Sequence, residues 1–259
     1  MKLTFLGTGT SFGVPQIGCN CAVCRSPDPR DHRTRTGALV ETDAGARLLI
    51  DTPPELRLQL TAADIDRVDA VLYTHDHADH VHGIDDLRAV SVRRGAGLPI
   101  YGAEDTLERL ARRFRYIFDE ACEVAPGTTR PEGHARPLRA GVPVQIADVT
   151  VTPAAVPHGL ITVFAYRIGP LAYVTDAKSI PPEALAILHG ARVLVVNALF
   201  RTEHPTHLSI PEAVAVSRAV GAERTFLTHL THDNRHADLE AELPPGISPA
   251  FDGLTVRID

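Results

Sequence analysis

The sequence predicts a mixed α+β fold built as one domain around a metal site. Three observations carry this reading. Short apolar, partly β-branched runs recur along the chain, densest early and late, with helical patterns interspersed. No composition break, linker or repeat divides the 259 residues, so residues 1–259 read as a single unit. Finally, the apolar run Val68–Tyr73 leads straight into His75, His77, Asp79 and His80, spaced H-x-H-x-D-H.

Composition sets the outer bounds. Apolar residues make up 44% of the chain, enough for a sizeable core, yet no run approaches the ~20 residues needed to span a bilayer. A membrane partner is therefore not expected. The net charge of −6 argues against extensive nonspecific binding to nucleic acid. Met1-Lys2 runs directly into Leu3–Leu6 with no signal-peptide apolar region, which predicts a cytoplasmic, reducing location. Of the four cysteines, Cys19, Cys21 and Cys24 lie too close together to pair well as disulfides, so metal binding is the better account. Cys122 stands alone and reads as a small buried or half-buried residue.

Taken in order, Leu3–Leu6 reads as a strand followed by the glycine-rich turn Gly7–Gly13. Such a turn could cradle phosphate, but neither a helix pattern nor Gly-Lys-Ser/Thr follows it. A tight loop near the metal site is the expected role. Gly37–Glu41 and Arg47–Ile50 pair around the turn Asp43-Ala44-Gly45. Asp51 ends the second of these strands, where it could fix a ligand histidine by accepting its free N–H, or serve as a plain turn residue. Helical spacing covers Glu55–Ala62, Ile84–Arg93 and Glu104–Phe118, with a short strand at Leu98–Tyr101. The arginines of the last helix, Arg109, Arg112, Arg113 and Arg115, could form a solvated face or a phosphate-attracting one, and the spacing favours the solvated face. Residues Ala125–Ala140, rich in glycine and proline, read as loop. Strands follow at Val144–Ile146, Val149–Ala154, Val163–Ile168, Leu171–Thr175, Val193–Asn197, Arg224–Thr228 and Leu254–Ile258. Helices fit Pro182–Leu188 and Pro211–Val220, the latter opened by Ser209 with Glu212 three residues on.

Imidazole and carboxylate together suit borderline and hard divalent metals. Four ligands in six residues are too dense for one tetrahedral ion that must also admit substrate. The natural division gives His75 and His77 to one ion, Asp79 and His80 to a second. Three more ligand-type residues stand at or just past the ends of apolar strands: His158, Asp176 and His229. His158 would complete a three-histidine set, His229 would join Asp79 and His80, and Asp176 could bridge the two ions. Ions ~3.5–4 Å apart can share a hydroxide nucleophile and clamp a phosphodiester during displacement.

From Leu6-Gly7-Thr8-Gly9 to Thr228-His229 this series resembles the metallo-β-lactamase superfamily. The resemblance implies a four-layer αββα sandwich of two mixed β-sheets flanked by helices, with two catalytic divalent ions (zinc or manganese) at one edge. Gly18-Cys19-Asn20-Cys21-Ala22-Val23-Cys24 resembles the structural-zinc segment of the phosphoribosyl cyclic-phosphate phosphodiesterases, whose fourth ligand matches His232. His204-Pro205-Thr206-His207-Leu208 is similar to the same family, and places His207 as a phosphate ligand or general acid. Asp79 joins His207 in the catalytic set, while His82, His204 and His236 are expected to be exposed or to support the ligands from behind.

The expected activity is metal-dependent hydrolysis of a small phosphodiester, cyclic ones included, with that substrate as the partner and a homodimer as a possible assembly. Two readings compete with it. One is tRNA 3′ processing of the ribonuclease Z type, which shares the metal residues but is opposed by the acidic charge balance. The other is a protein like the B protein of pyrroloquinoline-quinone biosynthesis, in whose family the metal motif is degraded whereas every ligand is present here. Fold and metals alone do not fix a substrate.

Overall fold

The computed structural model describes residues 1–259. Its strands are β1 (Lys2–Gly7), β2 (Gly37–Glu41), β3 (Arg47–Ile50), β4 (Ala70–Leu72), β5 (Leu98–Ala103), β6 (Gly133–Leu138) and β7 (Val144–Ile146). They continue as β8 (Val149–His158), β9 (Ile161–Ile168), β10 (Leu171–Val174), β11 (Val193–Asn197), β12 (Arg224–Thr228), β13 (Ile247–Pro249) and β14 (Thr255–Arg257). The helices are α1 (Leu56–Ala62), α2 (Ala78–Val81), α3 (Leu87–Arg94), α4 (Glu104–Arg113), α5 (Arg115–Phe118), α6 (Pro182–Leu188), α7 (Ile210–Val220) and α8 (His236–Glu242).

Two seven-stranded mixed sheets form, ordered β14-β1-β2-β3-β4-β5-β6 and β13-β12-β11-β10-β9-β8-β7. Their facing sides make the central core. Leu3, Phe5, Leu48, Ile50 and Leu72 of one sheet meet Val151, Tyr166, Tyr173 and Val195 of the other. Alternate residues point outward to helices, as the two-residue period of a strand requires. Leu49, Val71 and Ile100 pack under α1, α3 and α4, while Leu194 and Val196 pack under α6 and α7. Strands buried on both faces lose the alternation of apolar and polar residues, which is why Val193–Val196 reads as one unbroken apolar run. The expected αββα sandwich is the fold observed.

Helix ends are specified locally. Ser209 accepts from the Glu212 amide, and the Glu212 carboxylate accepts from the Ser209 amide at 2.7 Å, closing a capping box on α7. Gly221 ends the same helix at φ 74°, a left-handed turn that costs glycine little.

Several expectations need correction. The presumed loop Ala125–Ala140 contains β6, an edge strand parallel to β5. Its middle residues are exposed and Pro137 interrupts its donors, both tolerated only at a sheet edge, so the sequence carries no strand pattern. Phe114, at φ −120° and ψ 45°, breaks the helix expected over Glu104–Phe118 into α4 and α5. The strand at Val149 runs on to His158, four residues past the expected end. The short edge strand β13 and the helices α2 and α8 carried no expectation. No helix is long and apolar enough to cross a membrane.

Candidate metal centre

The chain's ligand-type residues converge because parallel strands end on one edge. β3, β4, β10, β11 and β12 run in parallel pairs, and β8 shares their sense through the antiparallel β9. Their C-terminal ends deliver Asp51, the His75–His80 segment, His158, Asp176 and His229 to one cleft. A side chain there can reach a ligand without crossing the core.

Asp176 is the hub. Its carboxylate oxygens lie 3.3 Å from His80 Nε2 and His229 Nε2, 3.5 Å from His75 Nε2 and His207 Nε2, and 3.9 Å from His158 Nε2. Asp79 stands 3.4 Å from His80 Nε2 and 3.7 Å from His229 Nε2. Two donor sets result, His75, His77, His158 with Asp176, and Asp79, His80, His229 with Asp176. These are the groupings the spacing predicts, with Asp176 common to both. Two donors ~2.0–2.1 Å from a tetrahedral ion lie ~3.3 Å apart, so the separations fit cation ligation. The nitrogens His75 Nε2, His80 Nε2 and His229 Nε2 are buried without hydrogen-bond partners, which suits atoms that hold a metal.

The opposite nitrogens are fixed from behind. His80 Nδ1 donates to Asp51 Oδ2 at 2.8 Å, and the Thr74 amide and hydroxyl donate to the same carboxylate, each at 2.8 Å. His158 Nδ1 donates to the Thr206 carbonyl at 2.9 Å. Each bond sets the tautomer that frees Nε2 for the cleft. Of the two roles open to Asp51, histidine acceptor is the one observed. Asn197, which sequence reading passed over, exchanges two hydrogen bonds with Ala177 at 2.8 and 3.0 Å and so anchors the turn bearing Asp176.

Backbone strain marks the same places. Asp51, Asp176 and His229 all sit at φ near +60°, a region that costs a non-glycine residue about 1–3 kcal/mol. Glycine would fit without strain but brings no side chain. Electrostatics follow the crowding. Burial opposes charge on both Asp176 and His80, yet His229 and His80 push the Asp176 pKa well below the carboxylate range, and Asp176, Asp79 and Asp51 raise His80 above the ordinary imidazole value. Burial and then the neighbouring His80 charge drive His75 the other way.

The arginine face of α4 is not simply solvated. Arg109 Nε donates to Asp76 Oδ1 at 2.9 Å, and Arg113 grips the Asp76 carboxylate at 2.7 Å and its carbonyl at 2.6 Å, bracing the residue between His75 and His77. Arg115 pairs locally with Asp119.

A second cluster lies beside the first. His232 Nδ1 stands 3.2, 3.5 and 3.6 Å from the sulfurs of Cys19, Cys21 and Cys24. Sulfur and nitrogen ligands of one tetrahedral zinc lie ~3.5 Å apart, so the spacing of this set fits a single ion. A hydrogen bond from the Cys24 amide is the main influence lowering Cys21 to about 6, whereas burial pushes Cys24 up to about 11. Binding a cation there would release the remaining thiol protons. Around it, Leu230 donates to Thr8 and the buried Arg33 donates to the Thr231 and Asn234 carbonyls, so the N-terminal loop is pinned to the segment carrying His229. Gly9 permits that close approach, since a Cβ there would meet the Arg33 carbonyl at 2.7 Å. The glycine-rich turn thus packs on backbone.

Of the remaining histidines, His82 is exposed as expected and His204 is half-buried. His236 departs from expectation: it is buried at the start of α8, its amide donating to Asp31 at 2.7 Å. Cys122 is half-buried.

The profile of a family described as a β-lactamase superfamily domain matches residues 46–230. The chain belongs to the metallo-β-lactamase superfamily of hydrolases. Among solved members, a structure described as a new diphosphatase from the PhnP family superposes with a TM-score of 0.90 at 38% identity, covering 98% of this chain and 96% of that one. A ribonuclease Z of Methanopyrus kandleri is 30% identical over 298 residues, all of this chain and 98% of the relative. An octanoyltransferase of Porphyromonas gingivalis is 42% identical over all of this chain, which spans only 52% of that relative's length. The metallo-β-lactamase fold implies divalent ions, and the two donor sets at its usual sheet edge suit them.

In this metallo-β-lactamase hydrolase the donor cluster opens into a cleft of about 450 Å³ lined by His77, Asp79, His158, Asp176, His207 and His229. His207 enters from the loop before α7, its ring stacked on His229 at 5.0 Å between centroids and its Nδ1 2.8 Å from the Thr206 hydroxyl.

Proposed function

We propose that the chain hydrolyses a small phosphodiester using two divalent ions, zinc or manganese, held at the shared Asp176 cleft. The observation that carries this reading is a single carboxylate facing five imidazoles at 3.3–3.9 Å, four of whose Nε2 atoms are buried without partners. When bound, the ions supply Lewis-acid stabilisation of charge on phosphoryl oxygens. The protein's part is positional. Asp51 and the Thr206 carbonyl hold His80 and His158 in the tautomers that aim Nε2 inward. Asp176 and Asp79 neutralise the cluster, and His207 stands at the cleft wall where a departing oxygen would take a proton. Hydrolysis adds the elements of water, forming one P–O bond and releasing an alcohol as the other breaks. The cysteine cluster holds a third, structural zinc.

The ribonuclease Z relative, matched over nearly its whole length, supports a second reading in which the diester belongs to RNA. No lysine or arginine lines the cleft to follow a polyanion, which favours the small substrate. Metal analysis of protein purified without added metal, followed by a panel of cyclic diesters, linear diesters and a 3′-extended tRNA, tests both. Turnover of small diesters by protein carrying three ions per chain is expected. Cleavage of the RNA alone moves the function to the second reading, and inertness toward every phosphodiester, with metals bound, rejects both.

A further inference from the structure

The donor cluster has a second, less polar neighbour. A cavity of about 220 Å³ opens on its His207 side, between the Thr10–Gln16 loop and the Leu199–His207 segment. Phe12, Leu199 and Phe200 form its apolar surface, and His204, His207 and His229 its inner wall. Ser11, His207 and His229 also line the larger cleft, so one molecule can occupy both spaces. Ring centroids step from Phe200 to His204 at 5.6 Å, to His207 at 5.4 Å and to His229 at 5.0 Å, a continuous series reaching the donors. The volume is below the ~300–1,000 Å³ of drug-sized pockets, which suits one substituent of a substrate.

The chemistry of the walls narrows that substituent. Neither space is lined by lysine or arginine. Of the cations on adjoining segments, Arg35 pairs with Glu55, Lys178 with Glu212 at 2.7 Å, and Arg201 with Glu242. A second phosphate, such as that of a phosphorylated sugar, would meet no lysine or arginine in the lining of either space. Apolar groups do have partners. Phe12 is 66% exposed on one side of the site, and Leu160 and Ile161 are exposed on the other, where they line the larger cleft. Isolated exposed hydrophobic residues are ordinary, but these flank both lobes of one site, where covering them on binding is favourable.

We infer that the cavity is a leaving-group subsite for an uncharged, apolar organic group, an alkyl chain on the alcohol released. This rests on the phosphodiester reading of the adjoining cleft. The diester and water give a phosphomonoester and the alkyl alcohol, whose oxygen takes up a proton as its bond to phosphorus breaks.

Calorimetric titration of the metal-loaded full chain with methylphosphonate and octylphosphonate tests the subsite without requiring turnover. The octyl compound is expected to bind roughly tenfold tighter or more. Phe200→Ala and the exposed Phe12→Ala, which cannot unfold the core, should each remove most of that preference and leave methylphosphonate binding unchanged. Equal affinities in the native protein, no binding of either probe, or a preference surviving both substitutions overturns the subsite. Hydrolysis of ethyl methyl phosphate and methyl octyl phosphate separates the two claims. If the chain-length preference holds but neither diester is cleaved, the subsite stands and the phosphodiester reading falls. If both diesters are cleaved with no chain-length preference in binding, the reading stands and the subsite falls.

Discussion

The two ligand clusters are neighbours built on opposite plans. Cys19, Cys21, Cys24 and His232 supply four donors, all within 4.8 Å of one another, from a loop and a strand-end segment more than 200 residues apart. That set is complete, and a closed tetrahedral site has no position left for substrate. The Asp176 cluster draws its donors from the ends of four strands, shares one carboxylate between two sets and faces open clefts. It also stores the strain, since Asp51, Asp176 and His229 are forced to positive φ there. The comparison teaches that donor number alone does not separate a structural from a reactive site. What separates them is whether the donors close on each other or leave buried lone pairs facing a cavity.

Removing Asp176 should break the open cluster most completely. Asp176→Ala deletes the only carboxylate common to both sets and leaves Asp79 as the one remaining carboxylate among the crowded donors. Turnover should fall on the order of 10³-fold or more, with metal content dropping by two ions while the cysteine-bound zinc stays. Circular dichroism should show the fold retained. Loss of the cysteine zinc in the same variant would mean that the clusters are one unit.

His207 gives a graded test. A general acid contributes ~10²–10⁴-fold, and less when the leaving group is already good. His207→Ala should therefore slow a diester with an alkoxide leaving group far more than a nitrophenyl ester, with metal content unchanged. Equal losses on both would assign His207 to phosphate binding, and no loss would remove it from the mechanism. The Asp51–His80 bond is next in size. Asp51→Asn should weaken metal binding at the open cluster about 10–100-fold, measured by competition with a chelator.

At the closed cluster the effects should reverse. Cys21→Ser should release one zinc and lower the thermal midpoint by about 2–4 °C for each kcal/mol lost, while the pH profile of residual activity keeps its shape. A variant as stable as the native protein, with full metal content, would sink the structural assignment.

Sequence reading found the donors because ligand chemistry leaves dense local marks. H-x-H-x-D-H lies within six residues, and each remaining donor of the open cluster ends or follows an apolar run. Structural support was less visible where the physics was non-local. Asn197 looks like the polar end of a strand, and only its pairing with Ala177 across the turn reveals that it anchors Asp176. Nothing in Asp51, Asp176 or His229 announces positive φ, because the residues are chosen for their side chains against backbone preference. The edge strand β6 was hidden for the contrary reason: its exposed residues and Pro137 obey edge rules and imitate a loop. His236 was misjudged because a buried histidine has no periodic signal of its own.

The smallest effect concerns α4, and it asks how much bracing the open cluster needs from outside. Arg109 and Arg113 hold Asp76, whose side chain is 8% exposed, between the ligands His75 and His77. The arginines themselves are 34% and 47% exposed, so solvent screens each pair and either alone is worth up to about 1 kcal/mol. Arg113→Ala should shift metal affinity at most a few-fold, and added salt should weaken the native advantage further. With Arg109→Ala as well, the nearly buried Asp76 carboxylate loses both partners, and an unmatched buried charge costs more than the sum of two screened pairs. The double variant should thus lose more affinity than the two single losses combined, yet less than Asp51→Asn. A single Arg113→Ala effect as large as that of Asp51→Asn would invert the order. The geometry of the H-x-H-x-D-H segment would then be set by the helix outside the cleft and not by the carboxylate behind His80.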